Sequence, residues 1–290
     1  MSGLPTRIDG LSGIAGGYRA LLCDVWGVVH NGVRAFPATL EALARYRAET
    51  GGSVILVTNA PRPAAAVARQ LAGLSVPDDA YDSIVTSGDV TRAAVAANAG
   101  ARVYHLGPER DLGFYEGLDV ILVPADEAEL ISCTGLFDDD VEGPDDYRDM
   151  LAGFAEKRLP MVCANPDVVV ERGERLVYCA GALAQLYEEL GGSVLLSGKP
   201  HPPIYDAAME HAGLDDRGQV LAVGDGLYTD IRGACDAGID VLFISGGIHS
   251  EDFGPVLDPD PARIQARLDA EGLSITAYMP VLTWQGSSER

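Results

Sequence analysis

The apolar run Leu21-Leu22-Cys23 ends in Asp24, and the run Val220-Leu221-Ala222-Val223 leads into Gly224-Asp225-Gly226-Leu227-Tyr228-Thr229-Asp230. Two buried-strand patterns, about two hundred residues apart, thus each deliver a carboxylate where the strand stops. Carboxylates that converge at strand ends suit a hard divalent cation, and one of them can also attack phosphorus or an activated carbon as a nucleophile. Thr58 and Asn59 bring a hydroxyl, an amide and backbone N–H groups that could hold phosphoryl oxygens. Lys199, in Gly198-Lys199-Pro200, brings a compact positive charge that keeps Asp24 ionised and balances the charge of a transferring group. Asp225 and Asp230 offer oxygen ligands for magnesium, or hydrogen-bonding support for such ligands. Arg62, just after Thr58-Asn59, is placed either to reach a substrate anion or to cap the helix that starts near Pro63. Taken singly, an Asp after a strand is often a cap, Gly-Asp-Gly a turn and a lysine a surface residue. Four such features in this order, each at a strand terminus, point to one site.

The elements that must position them alternate. Short β-branched runs (Ala20–Cys23, Val54–Val57, Ile84–Thr86, Val194–Leu196, Val220–Val223 and Val241–Ile244) are separated by Ala-rich stretches of helical period near Ala38–Glu49, Ala64–Leu74, Val90–Asn98, Ile204–His211 and Thr229–Ala237. This is the pattern of βαβ units and a parallel α/β sheet. The runs are apolar throughout, as strands covered on both faces are. Nearly all of them stop at small or polar residues, among them Ser87-Gly88, Ser197-Gly198 and Ser245-Gly246-Gly247. Ligands of open α/β sheets bind at those carboxyl ends, so the polar residues should gather in one crevice. The middle differs: strands are expected at Arg102–Leu106, Val120–Pro124, Leu130–Thr134 and Met161–Ala164, and a helix at Ala182–Leu190, but none of these strand ends carries the same chemistry. Residues 101–190 read as an inserted α/β domain, with 1–100 and 191–290 forming the core. A helix at Pro261–Ala270 and an extended segment at Tyr278–Trp284 close the chain.

At 290 residues with a formal net charge of −22, the chain is of ordinary globular composition, and its charge argues against a nucleic-acid partner. The cluster Asp138-Asp139-Asp140, Glu142, Asp145-Asp146 lacks calcium-loop spacing and reads as a solvated loop. Five cysteines (Cys23, Cys133, Cys163, Cys179 and Cys235) form no paired spacing and read as reduced packing residues. No signal peptide and no run of about 20 apolar residues is visible, so a cytoplasmic protein without a membrane partner is expected. There is no Gly-x-Ser-x-Gly, no phosphate-binding Gly-x-x-x-x-Gly-Lys-Ser/Thr and no zinc spacing.

The strand-end residues resemble the haloacid dehalogenase (HAD) superfamily of aspartate-nucleophile hydrolases over most of the chain. Asp24 to Val28 is similar to its first motif, Val57-Thr58-Asn59 to its second, Gly198-Lys199-Pro200 to its third, and Gly224 to Asp230 to its fourth. Gly198-Lys199-Pro200 followed by Tyr205, together with Asp225–Asp230 running into Ile231-Arg232-Gly233-Ala234, resembles the class IIA, NagD-like branch. In that branch a large α/β cap is inserted between the second and third motifs. Asn165-Pro166-Asp167 and Gly181-Ala182 look like the cap signature, which makes Asn165 and Asp167 substrate-binding candidates. The resemblance implies a Rossmann-like core with a parallel sheet and an inserted cap. It also implies a magnesium-dependent phosphatase of a small phosphorylated metabolite, working through an aspartyl-phosphate on Asp24. The metal ligands it implies are Asp24, the backbone carbonyl of Trp26, and Asp225 with Asp230. A homodimer is compatible with the sequence.

One position departs from the family. Most phosphatases of the superfamily carry a second Asp two residues after the nucleophile, which protonates the leaving group and then activates water; here that residue is Trp26. General acid–base help is typically worth about 10²–10⁴-fold in rate. A good leaving group such as an aryl or acyl phosphate would need no acid, or His30 or His201 would replace it. Two other readings stay open: a phospho-ligand-binding protein with little turnover, its indole packed on a ligand ring, and a dehalogenase-like hydrolase, whose chemistry needs no metal.

Overall fold

The computed structural model describes residues 3–172 and 175–285. In chain order its strands are β1 (Ala20–Asp24), β2 (Ser53–Thr58), β3 (Ser83–Thr86), β4 (Arg102–Leu106), β5 (Ile121–Leu122), β6 (Leu130–Cys133) and β7 (Pro160–Cys163). They continue with β8 (Val169–Arg172), β9 (Arg175–Tyr178), β10 (Ser193–Leu196), β11 (Val220–Gly224), β12 (Asp240–Ile244) and β13 (Ala277–Met279). The helices are α1 (Pro37–Thr50), α2 (Ala64–Gly73), α3 (Ser87–Ala96), α4 (Arg148–Glu156), α5 (Ala180–Glu189), α6 (Pro202–Ala212), α7 (Arg232–Ala237) and α8 (Pro261–Glu271). The fold is α/β, and the chain divides into two compact units: 1–58, 67–85 and 205–290 form one, and 59–66 with 86–204 form the other.

The first unit is built on a six-stranded sheet of order β13-β12-β11-β1-β2-β3. β1 pairs in parallel with both β11 and β2, and β12 pairs in parallel with β11 and β13. All five residues of β1 and of β11 are buried, which is why these strands read as unbroken apolar runs. From β1 the order runs outward through β2 and β3 on one side and through β11, β12 and β13 on the other. The reversal between β1 and β11 is a topological switch point, where connections leave the sheet in opposite directions and open a crevice. Local signals set the helices. α1 begins at Pro37, whose fixed φ suits the first helical position, and ends at Gly51 in the left-handed conformation (φ 69°). α8 is capped by the Asp260 side chain, which accepts the Ala262 N–H at 2.8 Å.

The second unit holds a parallel five-stranded sheet of order β10-β7-β6-β4-β5 and the antiparallel hairpin β8–β9. Its sheet faces alternate as strands must. Ile131, Cys133, Met161 and Cys163 pack with Leu151, Phe154, Leu183 and Tyr187 of α4 and α5, while Leu130 and Val162 pack with Val95, Phe114 and Tyr115. The expected insert, 101–190, lies within this unit, which starts earlier and also takes in 191–204. β10, expected with the 191–290 core, is hydrogen-bonded to β7 instead. Its alternating exposure (Leu195 is exposed, Leu196 half-buried) is that of an edge strand, unlike the buried β1. The acidic stretch leads into α4, which the charge-rich sequence hides because only Leu151 and Phe154 are buried on it. Asp138 and Asp140 are exposed, and Asp139 pairs with Arg110 at 2.7 Å. All five cysteines are free thiols. Among the described residues no helix is long and apolar enough to cross a membrane.

Candidate active site

The switch point positions the carboxylates. Cys23 and Val223 face each other in the β1–β11 ladder, so Asp24 emerges level with Gly224, one residue before Asp225. Asp24, Asp225 and Asp230 are all buried, and each offers a carboxylate oxygen within 4.8 Å of the others. At that spacing each pair of like charges repels by about 3 kcal/mol at an effective dielectric near 20. In charge, donor type and spacing the trio therefore fits a hard divalent cation. Thr58 belongs to the same edge of the sheet: Val57 is opposite Asp24 in the β1–β2 register, and Thr58 follows, itself buried.

The side chains of Asp230 and Asp225 are each held by backbone. After β11 the chain makes a single π-turn, Leu227–Ile231, in which Gly226 C=O accepts from both Asp230 N–H (2.9 Å) and Ile231 N–H (3.0 Å). Such turns recur at functional sites. Here the turn brings Asp230 back so that its Oδ2 accepts the Gly226 N–H at 3.0 Å. Asp225 is clasped from a different segment, the Ser245-Gly246-Gly247-Ile248 loop after β12. Ile248 N–H donates to Asp225 Oδ2 at 2.8 Å. A Cβ on Gly247 would overlap Oδ2 and come within 2.5 Å of Cγ of Asp225, and a Cβ on Gly27 would lie 2.8 Å from the same Cγ. Gly27 and Ile248 were not singled out from the sequence, and Gly247 stood out there only as part of the polar ending of the β12 run.

Trp26 lies between these groups in sequence and is 55% exposed. Its indole meets the His30 ring edge-on, with centroids 5.3 Å apart and planes at 75°. Gly32, at φ +85°, lies against the indole, where a Cβ would be 3.0 Å from Cζ2 and closer still to Cη2. His30 is buried, and its Nδ1 accepts the Gly32 N–H at 2.9 Å. Burial lowers its pKa from 6.5, so the ring is neutral at neutral pH and lacks the proton a general acid donates. Burial also lowers His201, against the opposing charge of Glu188. His249, one residue past Ile248, is lowered by burial too, with Asp252 raising it, Arg267 lowering it and Asp230 raising it.

The second unit carries the remaining candidates. The Asn59 amide grips the backbone of Lys199, its Oδ1 accepting the Lys199 N–H at 2.7 Å and its Nδ2 donating to the Lys199 carbonyl at 3.0 Å. Nδ2 also donates to Asp167 Oδ1 at 2.9 Å. Asn59 and Lys199 are buried. Asn165 spends its Oδ1 on the Asp167 N–H (3.0 Å), a local turn that shapes the loop Asn165-Pro166-Asp167. Gly181, at the start of α5, donates its N–H to the Asp167 carbonyl at 3.1 Å. Arg62 is exposed on the turn before α2, whose Ala64 N–H is capped by Asp89 Oδ2 at 2.7 Å. Helix capping there is done by Asp89.

Comparison with known proteins meets this geometry directly. A haloacid dehalogenase-like hydrolase family model matches residues 21–120, and a HAD-hydrolase-like model matches residues 196–268. A haloacid dehalogenase-like hydrolase from Brucella suis 1330 is 48% identical, with the likeness covering 97% of this chain and all of that one at a TM-score of 0.79. The chain is a haloacid dehalogenase-like hydrolase. Ribonucleotide monophosphatase NagD of Escherichia coli K12 is 26% identical to it over 242 residues, 80% of this chain and 89% of that protein, and the hydrolase falls in the NagD-like branch. The glycerol phosphate phosphatase of Mycobacterium tuberculosis, in a structure with magnesium, is 25% identical to the hydrolase, covering 86% of this chain and 74% of that one at a TM-score of 0.66.

Proposed function

We propose that the hydrolase is a magnesium-dependent phosphomonoesterase of a small phosphorylated metabolite, with Asp24 as nucleophile. The observation that carries this reading is the trio of buried carboxylates within 4.8 Å at the ends of β1 and β11. Relatives named as a ribonucleotide monophosphatase and a glycerol phosphate phosphatase support the substrate class, and the latter's structure with magnesium supports the ion. Asp24, the Trp26 carbonyl and Asp225 would hold magnesium, with Asp230 in support. When bound, the ion supplies positive charge that offsets the phosphoryl group. Asp24 Oδ attacks phosphorus in line and the ester oxygen leaves; water then cleaves the aspartyl phosphate and regenerates Asp24. Thr58, the Asn59 backbone and Lys199 hold the phosphoryl oxygens, the Asn59 amide being taken up by the Lys199 backbone and Asp167, and residues 101–190 act as the cap, with Asn165 and Asp167 as its substrate contacts. Arg62 is the weakest member of this set, since it is exposed.

The test is a panel of phosphate esters with magnesium. Asp24→Asn abolishes turnover while the thermal melt stays within a few degrees of wild type. Ester turnover that survives excess EDTA would remove magnesium from the reading, and EDTA-insensitive halide release from a haloacid, with no ester turned over, would sink the phosphatase reading and favour carbon–halogen chemistry. A binding protein is favoured by one observation, Trp26 at the place of a proton donor; saturable phosphonate binding without turnover of any ester would select it.

A further inference from the structure

Trp26 is a large apolar side chain more than half exposed, yet it is held in place. The His30 ring meets its edge and the Gly32 backbone lies against it, at a position where any side chain would intrude. A surface tryptophan of no consequence would need neither device. A further exposed apolar side chain is Ile248, at 71%. Both belong to backbone segments that touch one oxygen of the carboxylate trio: Gly27, next to Trp26, abuts Asp225 Oδ2, and the Ile248 N–H donates to that same atom. Apolar surface this close to three carboxylates gives a ligand held there a place to bury an apolar face.

The chemistry at Trp26 narrows the ligand independently. An indole N–H is a donor that does not ionise, so a leaving oxygen next to it departs without a proton. Phosphate esters that tolerate this have leaving groups stable as anions, and aryl phosphates combine that property with a flat apolar face.

We propose that Trp26, with Ile248 on the other segment that meets Asp225, is the specificity-determining surface of the hydrolase and selects aryl phosphate monoesters, whose ring stacks on the indole. This rests on the phosphatase reading and names its substrate class. In the reaction the Asp24 Oδ–P bond forms as the P–O(aryl) bond breaks. The aryloxide leaves with the electron pair and takes a proton from solvent. Water then attacks phosphorus, the Oδ–P bond breaks back to carboxylate, one water proton stays on the phosphate released and the other passes to solvent.

Two measurements separate this proposal from the reading beneath it. In the first, kcat/KM is followed over substituted phenyl phosphates of graded leaving-group pKa, with glycerol phosphate as the alkyl comparator. Wild type should favour the aryl esters by at least a hundredfold, with rates falling steeply as leaving-group pKa rises. Trp26→Ala should raise KM for aryl esters about tenfold more than it raises that for glycerol phosphate, while Trp26→Asp should flatten the leaving-group dependence. Equal kcat/KM for both classes, or a Trp26→Ala loss shared equally by both, would overturn the proposal. The second needs no turnover. The chain has two tryptophans, and the other, Trp284, is buried, so quenching of the exposed indole reports binding at Trp26. With magnesium, phenylphosphonate should quench and bind at least tenfold tighter than methylphosphonate. Tight phenylphosphonate binding with no hydrolysis would refute the phosphatase reading alone. Equal affinities, or no quenching, would refute the aryl surface whatever the catalytic outcome.

Discussion

Gly247→Ala probes the hold on Asp225 with one methyl group. The new Cβ would overlap Oδ2 of Asp225 and lie within 2.5 Å of Cγ, so the buried carboxylate or the loop after β12 must move. Forcing a methyl into a filled place costs about 1–3 kcal/mol. Loss of the Ile248 N–H bond to a charged acceptor costs about 1.5–3 kcal/mol. With partial relaxation, about 3 kcal/mol should be lost from cation binding, or roughly a hundredfold in Kd at about 1.4 kcal/mol per decade. Titration calorimetry of the full chain with magnesium measures it, with melting temperature followed with and without the ion. Gly153→Ala in α4 is the control: its Cβ meets nothing within 4 Å, and the helix should gain up to about 1 kcal/mol of stability with magnesium affinity unchanged. If Gly247→Ala binds magnesium within twofold of wild type, Asp225 is not a ligand and the clasp has no role in the cation site.

Three further outcomes are expected. Asn59→Asp replaces a donor with an acceptor facing the Lys199 carbonyl and should cost about 1–3 kcal/mol in a denaturant melt, along with kcat/KM; an unchanged melt would show that the amide clamp is dispensable. His30 has a folded pKa below its unfolded 6.5, so its contribution is complete above about pH 6.5 and is lost as pH falls through the folded value. His30→Asn, whose Oδ1 can accept the Gly32 N–H, should therefore flatten the fall in melting temperature on acidification, and an identical slope would exclude His30 as its source. Gly32→Ala should displace the indole and shift the emission of the exposed tryptophan to longer wavelength; an unshifted spectrum would mean that Gly32 does not brace it.

What the sequence displayed follows the physics of burial. β1, β2, β11 and β12 are apolar over nearly their whole length because both faces are covered, and their polar successors Asp24, Thr58 and Asp225 stood out for that reason. Membership of β10 in the second sheet was not legible, because a short β-branched run carries no mark of which edge it joins. The hairpin β8–β9 was missed because its apolar residues do not mark one covered face: Val169, Leu176 and Tyr178 are exposed while Val177 is buried. The clasp of Gly247 and Ile248 on Asp225 joins residues separated by more than twenty positions, and no local propensity encodes it. Trp26 as a departure was plain in the sequence; its bracing by His30 and Gly32 needed three dimensions.

The order of strands across the larger sheet has a consequence for synthesis. β1 is flanked by β2 and β11, so the N-terminal third leaves the ribosome with one whole edge of its innermost strand bare. That edge stays open while residues 86–204, which make up most of the other unit, are translated. During this interval an apolar, fully buried-type strand has no partner, a condition that favours aggregation. Chains halted shortly before Val220 should accordingly depend on chaperones, and chains extended a few dozen residues further should not.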